Sequence, residues 1–143
     1  MLVSQMLKQR NTGVIEIEQG RPVRAAARLM AEHDIGAVLV RAGERMCGIL
    51  SERDVARGVS RQGSRIADVA VESLMTPEVV TCRPSDDSDD LMRVMTEHGI
   101  RHLPVMAGGE IIGMVSIRNI VKARLTELET DQTALRNYIA GTT

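Results

Sequence analysis

Phenylalanine and tryptophan are absent from this 143-residue chain, and Tyr138 is its single tyrosine. Without rings, the stacking platforms that hold single-stranded bases cannot be built. Excess positive charge is missing too. Eighteen Lys and Arg face 19 Asp and Glu, a net charge of -1, so nothing drives binding to a phosphate backbone. Together these lacks argue against a nucleic-acid partner. No apolar run approaches the ~20 residues of a membrane-spanning helix. Met1-Leu2-Val3-Ser4-Gln5 also lacks the charged-then-apolar order of a secretion signal, so no membrane partner and a cytoplasmic location are expected. The two cysteines, Cys47 and Cys82, lie in separate apolar runs and form no C-x-x-C pair. Buried thiols are expected rather than a zinc or redox centre.

What is present suits a globular chain. Hydrophobic residues make up 43% and charged residues 26%, enough to bury a real core. With nine methionines and almost no rings, that core must be aliphatic and sulfur-rich. The length fits one ordinary domain or two small ones and excludes a large catalytic scaffold with a separate regulatory part.

The chain contains itself twice. A shift of 65 positions lays Met30-Ala31-Glu32-His33-Asp34-Ile35 on Met95-Thr96-Glu97-His98-Gly99-Ile100, and Gly48-Ile49-Leu50-Ser51-Glu52-Arg53-Asp54 on Gly113-Met114-Val115-Ser116-Ile117-Arg118-Asn119. Ten of the 26 positions from 30 to 55 are identical, without a gap. Two copies of one supersecondary unit follow, each too small to be expected to close a core alone.

Periodicity gives both copies the order β-α-β-β-α. In the first, Val14–Ile17 reads as a strand. A helix opens at Pro22 and runs to about His33, with Val23, Ala26, Ala27 and Met30 on one face. Ala37–Val40 and Met46–Leu50 flank the turn Ala42-Gly43-Glu44, and a helix follows Ser51. The counterparts are Val79–Cys82, a helix over about 87–98, His102–Met106, the Gly108-Gly109 turn, Ile111–Val115 and a helix after Ser116. The expected fold class is therefore α+β. Residues 1–65 hold the first repeat with an N-terminal helix, and 66–143 hold a linker, the second repeat and an extended C-terminal helix. In that last helix Leu125, Leu128, Gln132, Leu135 and Ile139 follow 3-4-3-4 spacing, the seam of a short coiled coil. A homodimer is expected from it.

The pattern G-h-h-S-x-R-[D/N], present at Gly48–Asp54 and Gly113–Asn119, first reads as a helix cap. Its position between a strand and a helix N-terminus adds a second reading, because unpaired N–H groups and the helix dipole attract an anion there. Arg53 and Arg118 supply charged donors. Asp54 offers two acceptor oxygens to the hydroxyls of a ribose, whereas Asn119 offers one and no charge, so the Asp54 site is the expected sugar binder.

The doubled β-α-β-β-α unit with this motif, together with Arg101-His102-Leu103-Pro104-Val105, resembles the cystathionine β-synthase (CBS) domain. The pair resembles a Bateman module of the stand-alone bacterial type, over about residues 7–125. The resemblance implies two repeats packed about a pseudo-two-fold axis, with two clefts that take adenosyl compounds such as AMP, ADP, ATP, NAD or S-adenosylmethionine. It implies that one cleft combines Ser51, Arg53 and Asp54 with Val79, Ile100, Arg101 and His102. The other would combine Ser116, Arg118 and Asn119 with Val14, Ile35, Gly36 and Ala37. Arg101 and His102 stand where the second cleft has Gly36 and Ala37, so phosphate charge is better compensated in the first.

The function that follows is a regulatory sensor, not an enzyme. It would use no catalytic cofactor, take AMP, ATP or NAD as regulatory ligand, and pass occupancy to an effector protein. The alternative is a structural interaction module with empty clefts. Asp86, Asp87, Asp89 and Asp90 open a helix, where acidic side chains favour the dipole, and no metal site is expected of them. His33 and His98 end helices. A hydrolase drawn from Ser51, His102 and Asp54 lacks a strained nucleophile turn and would spend Ser51 and Asp54 on capping.

Overall fold

The computed structural model describes residues 1–9 and 14–141. Its elements are α1 (Val3–Gln9), β1 (Glu16–Glu18), α2 (Val23–His33), β2 (Ala37–Ala42), β3 (Arg45–Ser51), α3 (Glu52–Gln62), α4 (Ser88–His98), β4 (His102–Ala107), β5 (Glu110–Ser116) and α5 (Ile117–Ile139). Short 3-10 turns over Gly63–Asp68 and Val71–Ser73 follow α3. Two compact units result: a first, Gly13–Val80, and a second made of Met1–Thr12 with Thr81–Thr143. The linker thus groups with the first repeat and the N-terminal helix with the second.

In the first unit β1 runs parallel to β2, and β2 antiparallel to β3. Ile17, Val23, Ala26, Met30, Val38, Val40, Leu50 and Val71 form its core. The helical face of α2 and the inward side chains of the sheet meet there, as the 3.6- and 2-residue periods require. In the second unit Val3, Leu91, Met95, Leu103, Val105, Val115 and Ile120 are buried.

Among the described residues the second unit has two strands, β4 and β5, rather than three. The strand expected at Val79–Cys82 is reduced to a single parallel bridge between Cys82 and Val105. Leu39 shows why. Its N–H bonds the carbonyl of Ile15 at 3.1 Å, but its repeat mate is Pro104, which has no N–H to give to residue 80. The ladder shrinks to the bonds around Cys82, from Cys82 N–H to Pro104 O and from Met106 N–H to Cys82 O, both 2.9 Å.

The segments that close each unit are themselves related. Val71 N–H bonds Arg21 O at 2.9 Å in the first unit, and Val3 N–H bonds Asp86 O at 2.9 Å in the second. The bridges Pro22↔Ala70 and Leu2↔Asp87 form a second matching pair. Arg21 and Asp86 differ by the repeat length of 65, but Val3 and Val71 differ by 68. Each segment lays a side chain over a strand glycine. A Cβ on Gly48 would strike Met75 and stand 3.0 Å from Thr76 O, and a Cβ on Gly113 would stand 2.7 Å from Leu7 Cδ2.

Candidate functional site

Each helix of the doubled motif begins with the same hydrogen-bonded box. Ser51 ends β3 in an extended conformation and caps α3. Its Oγ accepts the Asp54 N–H at 3.3 Å and donates to Asp54 Oδ2 at 3.0 Å, while its own N–H donates to Oδ2 at 2.9 Å. Ser116 repeats this with Asn119: Oδ1 accepts the Ser116 N–H and Oγ–H, both at 2.8 Å, and Oγ accepts the Asn119 N–H at 3.3 Å. The two donors force the amide to turn its oxygen inward, since a flipped amide would face donor with donor.

What remains on the outer side differs between the copies. In the first unit it is Asp54 Oδ1, a carboxylate acceptor 4.0 Å from Arg57 Nη1 on a side chain 11% exposed. In the second it is Asn119 Nδ2, a neutral donor. A sugar hydroxyl can donate to the first but must accept from the second. The sequence expectation of two Asp54 oxygens for two ribose hydroxyls narrows accordingly. Oδ2 already carries two bonds, and Oδ1, with two lone pairs, is the oxygen left open.

Other expected site residues gather around these boxes within their own units. Ala37 pairs with Ser51 across β2 and β3, and Glu52 N–H bonds Gly36 O at 2.9 Å, which sets Ile35, Gly36 and Ala37 beside the start of α3. His102 pairs with Ser116, and Ile117 N–H bonds Arg101 O at 2.9 Å, setting Ile100, Arg101 and His102 beside the start of α5. Arg53 and Arg118 are exposed in the first helical turns. Val14 and Val79 are half-buried on the irregular segments near the two ends of the first unit.

The two sites carry different charge. In the second, the motif holds no carboxylate, and Arg101 and Arg118 act on His102 as positive charges. In the first, the Asp54 carboxylate lies 4.0 Å from Arg57. His102 registers the cationic setting. Burial first, then the charges of Arg101 and Arg118, push its imidazole from the ordinary 6.5 down to about 4, so at neutral pH it is uncharged. Arg57 is a contact that motif reasoning passed over. Its signal was the i,i+3 spacing from Asp54 on a helix.

The remaining candidates have structural work. Asp87 caps α4, accepting the Asp89 N–H at 3.1 Å, and Asp90 Oδ2 accepts the Asp87 N–H at 3.4 Å. Asp86 accepts the Arg83 N–H at 2.7 Å. His98 sets Nδ1 3.0 Å from Val94 O at the end of α4. Cys82 is buried and free, its thiol pushed up to about 12 by burial and by Asp86. Cys47 donates to Val40 O at 3.3 Å. Among the described residues, no helix is long and apolar enough to cross a membrane.

A unit made twice, with a strand glycine, a capping box and a polar helix start at the same point of each copy, defines a tandem-repeat module. Its sequence matches the CBS domain family over residues 7–61 and again over 71–126, and the chain belongs to that family. A mitochondrial CBS domain-containing protein of Arabidopsis thaliana, CBSX3, is 36% identical over 81% of this chain, which spans 59% of that relative's length. The solved structure of a protein with CBS domains from Burkholderia ambifaria is 40% identical, with a TM-score of 0.82 over 88% of this chain and 95% of the other. A CBS domain protein of Pyrobaculum aerophilum, solved in complex with AMP, is 26% identical, with a TM-score of 0.75 over 91% of this chain and 99% of the other.

Proposed function

We propose that this protein is a regulatory adenine-nucleotide sensor: it binds a ligand such as AMP, ATP or NAD and passes occupancy to an effector protein. It does so without catalysing a reaction, as a homodimer, and in the cytoplasm, a setting that two free thiols support. The observation that carries the reading is Asp54. A nine-tenths buried carboxylate, held by its own cap on one oxygen, keeps the other oxygen for a ligand at the start of α3. The AMP complex of the Pyrobaculum relative supports an adenosyl ligand.

The proposed contacts are Ser51, Arg53 and Asp54 in the first unit and Ser116, Arg118 and Asn119 in the second. Arg101 and His102 serve phosphate and adenosyl groups. Ligand that prefers one of two arrangements shifts the balance between them by its difference in affinity, which is all a sensor requires.

Thermal unfolding with AMP, ATP, NAD and S-adenosylmethionine tests this. A ligand at about 100 times its Kd adds about 2.7 kcal/mol to stability. Stabilisation by one of them, lost in Asp54→Asn, is the expected result. No response to any of the four overturns the reading in favour of an interaction module, which the uncovered apolar face of α5 would then serve.

A further inference from the structure

We propose that α5 pairs with α5 of a second copy of this chain as a parallel, in-register two-stranded coiled coil. The proposal rests on the dimer reading above but not on its ligand.

The helix uses two separate faces differently. Ile120 and Ala123 are buried in their own unit, and Glu127 is half-buried beside the Met1 ammonium group, which it binds. At about 100° per residue these three residues share one arc of the helix, and Val121, Leu125, Leu128, Gln132, Leu135 and Ile139 share another, centred about 125° away. Folding of the unit therefore leaves the 3-4-3-4 seam open along the whole helix. Leu125, Leu128, Leu135 and Ile139 are each more than half exposed. Single exposed apolar residues are ordinary, but a continuous row at coiled-coil spacing is what a partner helix covers.

Charge selects the partner and its direction. With Leu125, Gln132 and Ile139 at a, and Val121, Leu128 and Leu135 at d, the flanking g positions are Arg124 and Asp131, and the e positions are Lys122, Glu129 and Arg136. In a parallel pair each g residue meets the e residue five places on in the other helix. Arg124 then meets Glu129, and Asp131 meets Arg136, opposite charges in both cases and each formed twice by symmetry. In an antiparallel pair with full overlap of the seam, Leu125 stacks on Leu135 and Gln132 on Leu128. That register sets Glu129 against Glu129, Asp131 against Asp131 and Lys122 against Arg136, all like charges. Among the described residues Glu129, Asp131 and Arg136 form no ion pair within their own chain, so these three are available, whereas Arg124 lies 3.6 Å from Asp89 and 3.5 Å from Glu127 of its own chain and must share or exchange those exposed contacts to meet Glu129 of the partner helix. A lone polar Gln132 at a aligns best with its own copy, which again favours the in-register parallel arrangement.

Sedimentation equilibrium of the full chain tests the proposal at low and high salt. The wild-type chain is expected to be a dimer, and Leu135→Asp to weaken it at least tenfold, with circular dichroism unchanged in the folded units. Arg136→Glu, placed on a fully exposed stretch, is expected to weaken the dimer several-fold at low salt. Asp131→Arg combined with Arg136→Glu should restore it. A monomeric wild-type chain overturns the dimer reading itself. A dimer indifferent to Leu135→Asp shows that another surface joins the copies and overturns the coil. A dimer tightened by Arg136→Glu shows the antiparallel arrangement, in which the new glutamate meets Lys122, and overturns the parallel one.

Discussion

Leu7 lies against the α-carbon of Gly113, so closely that a Cβ there would stand 2.7 Å from Leu7 Cδ2. The helix that carries Leu7 can reach β5 only because that strand has no side chain at the point of contact. Gly113→Ala is expected to cost about 1–3 kcal/mol, the range for overfilling a packed site. Urea unfolding measures it. Leu7→Ala in the Gly113→Ala background should recover part of the loss, since it removes the colliding methyls.

Asp54→Asn and Asp54→Ala separate two roles of one residue. Asn119 already demonstrates that an amide oxygen completes the capping box. Asp54→Asn should therefore hold stability within a few tenths of a kcal/mol, while turning the outer acceptor into a donor. Asp54→Ala should cost about 1 kcal/mol of cap. If both variants lose nucleotide binding in calorimetry but only alanine loses stability, cap and ligand contact are distinct functions.

The reciprocal change, Asn119→Asp, places a carboxylate in the first turn of α5, where Arg118 and Lys122 are its sequence neighbours. Binding of a nucleoside with free ribose hydroxyls should strengthen at the second-unit site, with calorimetric stoichiometry as the readout. An unchanged stoichiometry and affinity would remove Asn119 from the ligand contacts.

His102 makes the fold acid-sensitive. Its native value of about 4 lies below the 6.5 of an exposed imidazole, so between these pH values the unfolded chain binds the extra proton. Stability must then rise with pH across that window and fall as pH drops from 6.5 toward 4. The full effect is on the order of 3 kcal/mol at its upper limit. His102→Gln should flatten that part of the urea-stability profile; a profile equally steep in the variant would show that other groups cause the slope.

Cys82 should resist a thiol reagent at pH 8 in the native protein and react only on unfolding, because burial keeps it protonated to about 12. Rapid labelling of both thiols in the folded chain would contradict the burial of Cys82.

The local geometry of the two helix starts is legible in the sequence. The 65-residue repeat placed Ser51, Asp54, Ser116 and Asn119 at two helix starts because capping and strand-to-helix turns are local chemistry. The third strand of the second unit failed because Pro104 interrupts a ladder whose other side is about 20 residues away, and single-strand periodicity does not register a partner's missing N–H. The kinship of Val3 and Val71 stayed hidden for another reason. Their spacing of 68 breaks the register of 65, and only the matched bonds to Arg21 and Asp86 reveal it. The outer chemistry of the capping boxes likewise needed geometry, since sequence names the oxygens of Asp54 without saying which is occupied.

The exchange of closing segments fixes an order of assembly as the chain leaves the ribosome. Everything that seals Gly13–Val80 emerges in one stretch, so that unit can settle early. Val3 bonds Asp86, and its neighbour Leu7 waits for Gly113, so these apolar side chains stay uncovered until β5 has been synthesised. A nascent chain stalled before residue 113 would display that unfinished edge, and there a chaperone would find its grip.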